Sequence, residues 1–383
     1  MVNRVVLNET SYFGRGSRAK LGEELKSRHY GKVLVVTDFN LTQSNVAKMV
    51  TDVLEEANIR YFVFSNIKPN PTIKNVQDGV SLGRISGVEA IVAVGGGSVI
   101  DTAKAISIII SNPEHGDVVS LDGAITTRNK GLPLFALPTT AGTAAEVTIN
   151  YVITDEMSKK KMVCIDVHDI PVCSIVDPDL MQGMPQRLAA TTGMDALTHA
   201  MEGYITNAAW LMTDMFHINA MALIYKNLEA ACNEKDDIAV EKIAYAQYIA
   251  GMGFSNVGLG IVHSMAHSLG AYFDTPHGLA NSILLPHVMR FNGKECPELF
   301  RNMGRAFELS MDYLTDEEAV EKIVEAIQDL SRRLHIPQNL NEIGIPKEAI
   351  PMLASQAIND VCTPGNPRDV TVEDIEKIYY EAY

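Results

Sequence analysis

Histidine and aspartate side chains recur at four-residue spacing at two places in this 383-residue chain. Asp195 and His199 are four apart in TTGMDALTHAMEGY, His263 and His267 are four apart in LGIVHSMAHSLGAY, and His277 follows in DTPHG. Residues four apart lie on one face of a helix, so each pair can direct two donor atoms at one point. We therefore expect these side chains to bind a divalent cation and to leave some of its coordination positions open for a substrate. This makes the chain an enzyme candidate.

These five donors exceed the three or four that a catalytic site needs, and spacing alone does not choose among them. Imidazole and carboxylate ligands without thiolate suit Fe(II), Zn(II), Co(II) or Ni(II), and the affinity order favours zinc over iron. The remaining histidines show no such spacing, and we expect structural or surface positions for them: His29, His115, His168, His217, His287 and His335.

Composition excludes several classes of function. A net charge of −15 argues against binding to nucleic acid, because a protein needs a basic patch to bind a phosphate backbone. The same charge argues against binding to an anionic membrane surface. There is no run of 18 apolar residues, so no membrane span is predicted, and the start MVNRVVLNETSYFGRG lacks the apolar region of a signal peptide. The five cysteines are odd in number and form no CxxC pair, which favours reduced thiols in a cytoplasmic protein.

The first half of the chain alternates strand-like with helical patterns, which predicts a parallel sheet covered by helices on both faces. The predicted strands are 32–38, 60–66, 89–98, 132–140 and 173–179. Near residue 180 the character changes, and amphipathic helical patterns follow at 186–206, 213–233, 237–254, 259–273, 297–308 and 316–335. We therefore expect an α/β domain over 1–182 and an all-helical domain over 183–383.

A glycine-rich turn joins one predicted strand to the helix after it. Small residues at Gly95, Gly96, Gly97 and Ser98 let the backbone approach a diphosphate, and the helix N-terminus supplies free N–H donors. The pattern differs from GxGxxG, and a tight turn without a ligand is the alternative.

Two further features fit a dinucleotide. Asp38 ends the first predicted strand, where a carboxylate accepts hydrogen bonds from a ribose diol and repels a 2′-phosphate, which favours NAD over NADP. Its alternative role is a helix N-cap. Thr139, Thr140 and Thr143 offer hydroxyl groups to cofactor phosphate or amide, with helix capping as the alternative.

Taken together, these motifs resemble the iron-containing (group III) alcohol dehydrogenases, over essentially the whole chain. The stretches that carry the resemblance are GGGSVIDTAKAI (95–106), PTTAGTAAEVT (138–148), GMDALTHAMEGY (193–204), GIVHSMAHSLGAYFDTPHGLANSILLPHVMRFN (260–292) and CTPGNPR (362–368). The resemblance implies an α/β NAD-binding domain and an all-α metal-binding domain of the dehydroquinate synthase-like fold, with the active site in the cleft. It also implies a homodimer.

The resemblance further assigns roles to single residues. It implies an Fe(II) or Zn(II) ion held by Asp195, His199, His263 and His277, with His267 near the site but outside the ligand set. The implied NAD contacts are Asp38, Asn70, Gly96, Gly97, Ser98, Asp101, Thr139, Thr140, Thr143, Val152 and Lys161. The implied substrate pocket contains Asn150, Phe254 and Cys362.

Within the family, the stretches 8–16, 145–156 and 248–260 resemble members that reduce lactaldehyde to 1,2-propanediol. We expect direct hydride transfer, with His267 relaying the proton or, alternatively, serving only as a hydrogen-bond donor. Ser264 and Ser268 depart from the usual family sequence, and we expect them to affect the substrate pocket.

Four alternatives to this function remain. They are a 1,3-propanediol or general short-chain alcohol dehydrogenase, a glycerol-dehydrogenase-like zinc enzyme, a dehydroquinate-synthase-like lyase, and a non-enzymatic NAD- and metal-binding protein.

Overall fold

The computed structural model describes residues 2–383. The chain divides after Met184 into two compact units, residues 1–184 and residues 185–383. Within the described residues no helix is both long and apolar enough to cross a membrane.

The first unit is built on a six-stranded sheet in which all neighbouring strands are parallel, as the alternating pattern predicted. Its strand order is β1-β9-β6-β4-β2-β3. The strands of this unit are β1 (Thr10–Phe13), β2 (Lys32–Val36), β3 (Arg60–Phe64), β4 (Ala90–Gly95), β5 (Gly123–Ala124), β6 (Leu134–Pro138), β7 (Asn150–Asp155), β8 (Lys160–Ile165) and β9 (Cys173–Val176). Its helices are α1 (Lys20–Ser27), α2 (Phe39–Gln43), α3 (Asn45–Glu56), α4 (Ile73–Ser86) and α5 (Gly97–Ser111).

The inner strands β2, β4 and β6 are buried on both faces, which explains why their sequences are almost entirely apolar. On β2, Leu34 and Val36 pack in one hydrophobic cluster, whereas Val33 and Val35 pack in another. Successive side chains of a strand point to opposite faces, so each face of β2 has its own apolar contacts.

A second, three-stranded sheet was not predicted from the sequence. Strands β7 and β8 form an antiparallel hairpin, and β5 pairs with β8 in parallel. Its strands mix polar with apolar residues, and β8 begins with two exposed or half-buried lysines, Lys160 and Lys161. The alternation of buried strand and helix therefore gives no sign of the hairpin.

A buried lysine joins α5 to the segment that leads into β7. The Lys104 side chain is fully buried. Its Nζ donates to the carbonyl oxygens of Thr148 (2.6 Å) and Asn150 (2.8 Å), and lies 3.7 Å from an oxygen of Asp169. Burial raises the pKa of Asp169 to about 8, although Lys104 opposes this rise. The ammonium group therefore satisfies two buried carbonyls and partly neutralises a buried carboxyl.

The second unit is entirely helical among the described residues. Its helices are α6 (Gln186–Ile205), α7 (Leu211–Glu229), α8 (Asp237–Val257), α9 (Ile261–Phe273), α10 (His277–Gly293), α11 (Pro297–Ala306), α12 (Asp316–Arg333), α13 (Ile350–Ala357) and α14 (Val372–Glu381). Helix α10 was not predicted. It is buried along most of its length and contains Pro286, so its sequence shows neither an amphipathic pattern nor uninterrupted helix-forming residues.

We predict that replacing Lys104 with methionine destabilises the protein by about 3–5 kcal/mol, because a buried carboxyl and two carbonyls lose their charged partner. The measurement is urea unfolding followed by circular dichroism. The matched control is Lys48→Met, since Lys48 pairs with Asp52 at the exposed surface, where water screens the ion pair and its loss costs little stability. Equal stability of the two variants would contradict the assignment of Lys104 as a structural anchor.

Candidate metal centre and cofactor site

Helix α6 supplies the first two of the predicted metal ligands. Asp195 and His199 are both buried, on the same face of this helix. His199 Nδ1 lies 4.0 Å from Asp195 Oδ2. The four-residue spacing therefore places the two side chains together, as the sequence predicted for a helix.

Helices α9 and α10 supply the other two. His263 lies in the first turn of α9, and His277 is the first residue of α10. Gly278 allows α10 to lie against α6, because a Cβ atom there would come within 2.4 Å of the Thr191 carbonyl oxygen. This close approach puts His277 Nε2 3.6 Å from Asp195 Oδ1.

The four side chains converge on one point. One ligand atom from each of Asp195, His199, His263 and His277 lies within 4.8 Å of every other. The ring centroids of His199 and His263 are 4.6 Å apart, and those of His263 and His277 are 5.2 Å apart. Three separate helices thus contribute to one cluster of a carboxylate and three imidazoles.

Asn281 lies among these ligands. Its Nδ2 donates to Asp195 Oδ1 at 2.6 Å and lies 3.2 Å from His263 Nε2 and 3.1 Å from His277 Nε2. Asn281 is fully buried, and its Oδ1 has no hydrogen-bond partner among the described residues. The Asn281 amide group thus lies between a carboxylate oxygen and two imidazole nitrogens, which are the atoms that could hold a cation.

Glu202 holds His263 from the side away from this centre. Its Oε2 lies 2.5 Å from His263 Nδ1, and its Oε1 accepts a 2.7 Å hydrogen bond from the Val262 N–H. Burial raises the pKa of Glu202 to about 8, although the N–H groups of Val262, Gly260 and His263 oppose the rise. A carboxyl group on Nδ1 leaves Nε2 as the nitrogen directed into the cluster, which is the usual arrangement around a ligating histidine.

The donor set fits a divalent transition metal. Neutral imidazoles and one carboxylate suit Fe(II) and Zn(II), and no thiolate is among the four residues. Burial lowers the pKa of His263 well below its ordinary value, so this imidazole is neutral and able to bind a cation at neutral pH.

His267 lies beside the four-residue cluster and has a partner of its own. Its ring stacks on His277 with centroids 5.5 Å apart, and its Nδ1 lies 2.8 Å from Asp360 Oδ2. Burial alone would raise the pKa of Asp360, but His267 and the N–H of Cys362 hold it at about 2. The structure therefore places Cys362, predicted in the substrate pocket, next to the His267–Asp360 pair.

Phe254, also predicted in the substrate pocket, covers one of the ligand rings. Its ring is stacked on that of His199, with centroids 4.2 Å apart and planes 11° apart. An aromatic ring in this position buries the ligand and restricts its rotation.

In the first unit, the glycine-rich turn meets the threonine segment. Strand β4 ends at Gly95 and α5 begins at Gly97. A Cβ atom on Gly97 would lie 2.7 Å from Thr143 Cγ2, and one on Gly96 would lie 3.0 Å from Thr140 Oγ1. A side chain at either glycine would collide with these threonines, so the glycines allow the start of α5 and the threonine segment to pack in direct contact.

A second group of predicted cofactor residues joins α5 to the hairpin. The Ser98 hydroxyl donates to the Pro69 carbonyl, beside Asn70, and Lys161 Nζ donates to Asn70 Oδ1 at 2.8 Å. Asp101 Oδ2 accepts a 3.0 Å hydrogen bond from the Val152 N–H. Burial raises the pKa of Asp101 to about 6, opposed by Lys104, Val152 and Lys161. Hydrogen bonds thus link these predicted contacts to one another.

Three predicted residues have structural roles as well. Asp38 follows β2 and accepts a 3.0 Å hydrogen bond from Leu41 N–H, which makes it the N-cap of α2. Thr139 is buried directly after β6, and its N–H donates to the Gly95 carbonyl. Asn150 begins β7 and accepts from Lys104 through its carbonyl oxygen.

Sequence reasoning missed several residues that hold these side chains. Glu202, Asn281 and Asp360 contact ligands or His267, but none belongs to a ligand motif. Glu202 and Asn281 carry a signal nevertheless, because they follow His199 by three residues and His277 by four, on the same helical faces. Asp360 is 93 residues from His267, so no local spacing reveals that pair.

Comparison with known proteins agrees with this geometry. Residues 8–178 match the sequence profile described as iron-containing alcohol dehydrogenase, and residues 189–383 match the C-terminal profile of the same family. The chain is 50% identical to lactaldehyde reductase of Escherichia coli strain K12, with all of each chain covered. It is 40% identical to 1,3-propanediol dehydrogenase of Citrobacter freundii, with 97% of each covered. A crystal structure of a 1,3-propanediol oxidoreductase superposes with a TM-score of 0.97 at 38% identity, with all of each chain covered.

We predict that Glu202→Gln lowers the affinity for Fe(II) or Zn(II) about 10- to 100-fold, as expected when the partner of a ligating histidine is altered. The amide group of glutamine would donate to His263 Nδ1 and favour the tautomer that carries its proton on Nε2. Isothermal titration of metal-stripped protein with Zn(II) measures the change. Glu234→Gln, at an exposed position of the same unit, serves as the control, and an affinity loss shared by both variants would refute the role of Glu202.

Proposed function

The chain belongs to the iron-containing alcohol dehydrogenase family, and from this premise we propose that it reduces lactaldehyde to 1,2-propanediol with NADH and catalyses the reverse oxidation. The observation that carries the proposal is the complete ligand cluster in a chain 50% identical over its full length to a lactaldehyde reductase. A small aldehyde and its alcohol are thus the proposed substrate pair.

Each side chain of the cluster has a defined task in this reaction. Asp195, His199, His263 and His277 hold the cation, while Asn281 orients Asp195 and Glu202 orients His263. When bound, the cation supplies Lewis acidity to the carbonyl oxygen and NADH supplies the hydride. Three of the four ligands are buried, and an environment with little water strengthens electrostatic interactions at the reacting carbonyl.

His267 is the proposed proton donor for aldehyde reduction. It lies beside the ligands, with its ring against His277, yet it is absent from the convergent group of four. A histidine near a cation but outside its ligand set is free to transfer a proton to the oxygen that gains charge during reduction. The alternative role, a hydrogen-bond donor without proton transfer, predicts full kcat in a His267→Ala variant.

We also assign Fe(II), a homodimer and a cytoplasmic location to the working enzyme. The description of the matching family supports iron, and the donor set accepts Zn(II) as the alternative. All five cysteines are free thiols, which suits a reducing compartment. The family resemblance supports the homodimer.

A 1,3-propanediol dehydrogenase is the second candidate. The 40% identity to the Citrobacter freundii enzyme and the TM-score of 0.97 to a 1,3-propanediol oxidoreductase favour it. The higher identity to the lactaldehyde reductase, 50%, places it second.

The first test is NADH oxidation by metal-stripped protein after anaerobic addition of Fe(II) or Zn(II). We expect Fe(II) to restore turnover, and kcat/KM for lactaldehyde to exceed that for 3-hydroxypropanal. Asp195→Ala, which removes the only carboxylate ligand, should stay inactive with either metal. A higher kcat/KM for 3-hydroxypropanal would favour the second candidate, restoration by Zn(II) alone would overturn the assignment of iron, and absence of turnover with any small aldehyde would refute the dehydrogenase.

The second test concerns the choice of NADH over NADPH. Asp38 both caps α2 and is proposed to repel a 2′-phosphate. Asp38→Ser keeps an N-cap side chain but removes the charge, so stability should change little. We expect the NADH/NADPH ratio of kcat/KM to fall at least about tenfold, equivalent to about 1.4 kcal/mol. The capping control is Ser44→Ala at the start of α3, and an unchanged coenzyme ratio in Asp38→Ser would exclude Asp38 from coenzyme selection.

A further inference from the structure

Asp360 lies outside every metal-ligand and cofactor motif of the chain, yet it contacts His267 directly. The side chains of Asp360 and His267 are about nine-tenths buried, at 11% and 9% exposed, and they belong to segments 93 residues apart. A buried contact of this kind between a carboxylate and an imidazole restricts both the rotation of the ring and the position of its proton.

The contact determines which nitrogen of His267 carries the proton. Asp360 Oδ1 already accepts a hydrogen bond from the Cys362 N–H, and a carboxylate only accepts hydrogen bonds. The 2.8 Å contact to Nδ1 therefore requires a hydrogen on Nδ1. In the neutral ring Nε2 is then the acceptor, and in the protonated ring Nε2 is the nitrogen that donates.

The position of Asp360 is itself defined by the backbone. Its Oδ1 accepts a 2.9 Å hydrogen bond from the Cys362 N–H, while Oδ2 faces His267. Each carboxylate oxygen thus has one N–H donor. The turn that carries Cys362 and the ring of His267 are joined through this one side chain.

We infer that Asp360 is a positioning residue for reduction: it holds His267 with Nδ1 protonated, so that Nε2 is the atom that exchanges a proton with the substrate oxygen. This inference rests on the proposed function, in which His267 is the proton donor. The proton passes from Nε2–H to the alcohol oxygen as hydride reaches the carbonyl carbon, and a proton from water restores the imidazolium. Asp360 accepts from Nδ1–H before and after the transfer and so keeps the ring in one orientation.

The decisive variant is Asp360→Asn. Asparagine has the same shape and keeps one oxygen, which can still accept from Cys362 N–H. Its amide group then faces His267 Nδ1 as a donor and favours the tautomer with the proton on Nε2. If the amide group is rotated by about 180°, its oxygen accepts from His267 Nδ1–H. Its NH2 group then faces the Cys362 N–H, so two donors oppose each other there. Either orientation loses one of the two contacts, while volume and fold are conserved.

We expect Asp360→Asn to lower kcat at least about tenfold and at most by the about 100- to 10,000-fold that a positioned general acid contributes. KM for lactaldehyde, zinc affinity and the melting temperature should change little. The solvent isotope effect on kcat should increase, because proton transfer becomes slower relative to the other steps. Asn359→Ala, an exposed neighbour in the same segment, is the control and should match the wild type in all five measurements.

A double-mutant cycle separates positioning from a general structural effect. In a His267→Ala background, Asp360→Asn should change kcat less than about twofold, because its effect acts through the missing ring, whereas independent effects would combine fully. Full kcat in Asp360→Asn, or an undiminished loss in the His267→Ala background, would overturn the inference. Neither result affects the test of lactaldehyde reduction, which involves no substitution at Asp360 or His267.

A second measurement observes the wild-type protein itself and uses a variant only to assign its spectrum. Nitrogen-15 NMR of histidine-labelled, zinc-loaded wild-type protein reports the tautomer of His267 directly, with the Asp360→Asn spectrum or the His267→Ala spectrum used for assignment. Protonation at Nδ1 supports the inference. A neutral ring with its proton on Nε2 would refute it, whatever the kinetics of the variants.

Discussion

The candidate metal centre depends on a single buried carboxyl group that joins α6 to the start of α9. Glu202 follows His199 by three residues on α6, and it contacts the N–H groups of the first turn of α9 together with the ring of His263. An acidic group suits a helix N-terminus, where backbone N–H groups lack partners within the helix. The same hydrogen bonds therefore join two helices and aim a ligand, so the geometry of the ligands and the packing of the helices cannot vary separately.

The first unit uses a charged side chain in a similar way. Lys104 comes from α5, the helix that begins at the glycine turn, and it holds the carbonyls that lead into β7. Asp101 on the same helix contacts β7 at Val152. Burying these groups costs solvation energy, which is recovered only when their partners are correctly placed. The predicted cofactor residues on α5 and on the hairpin are consequently held in one arrangement by buried polar contacts.

Two histidines four apart on α9 acquire different chemistry from their partners. His263 contacts Glu202 through Nδ1 and faces the ligand cluster, whereas His267 contacts Asp360 through Nδ1 and lies outside that group. The four-residue spacing alone does not distinguish their roles. A carboxyl group from a different segment contacts Nδ1 of each histidine and thereby sets the direction of its Nε2. This difference gives His263 the proposed role of ligand and His267 that of proton donor.

Local sequence determined the parallel sheet, the helical second half and the pairing of Asp195 with His199, because strand and helix periodicity and a four-residue spacing operate within one element. It did not reveal the hairpin β7–β8, whose strands are short and partly polar, or helix α10, which is buried and contains Pro286. Only the tertiary structure decided that α6, α9 and α10 bring four ligands together and that Glu202 and Asp360 face different imidazoles. Those contacts join residues 61 and 93 positions apart. Chain separation of that length leaves no periodic signal, since the contact is set by helix packing.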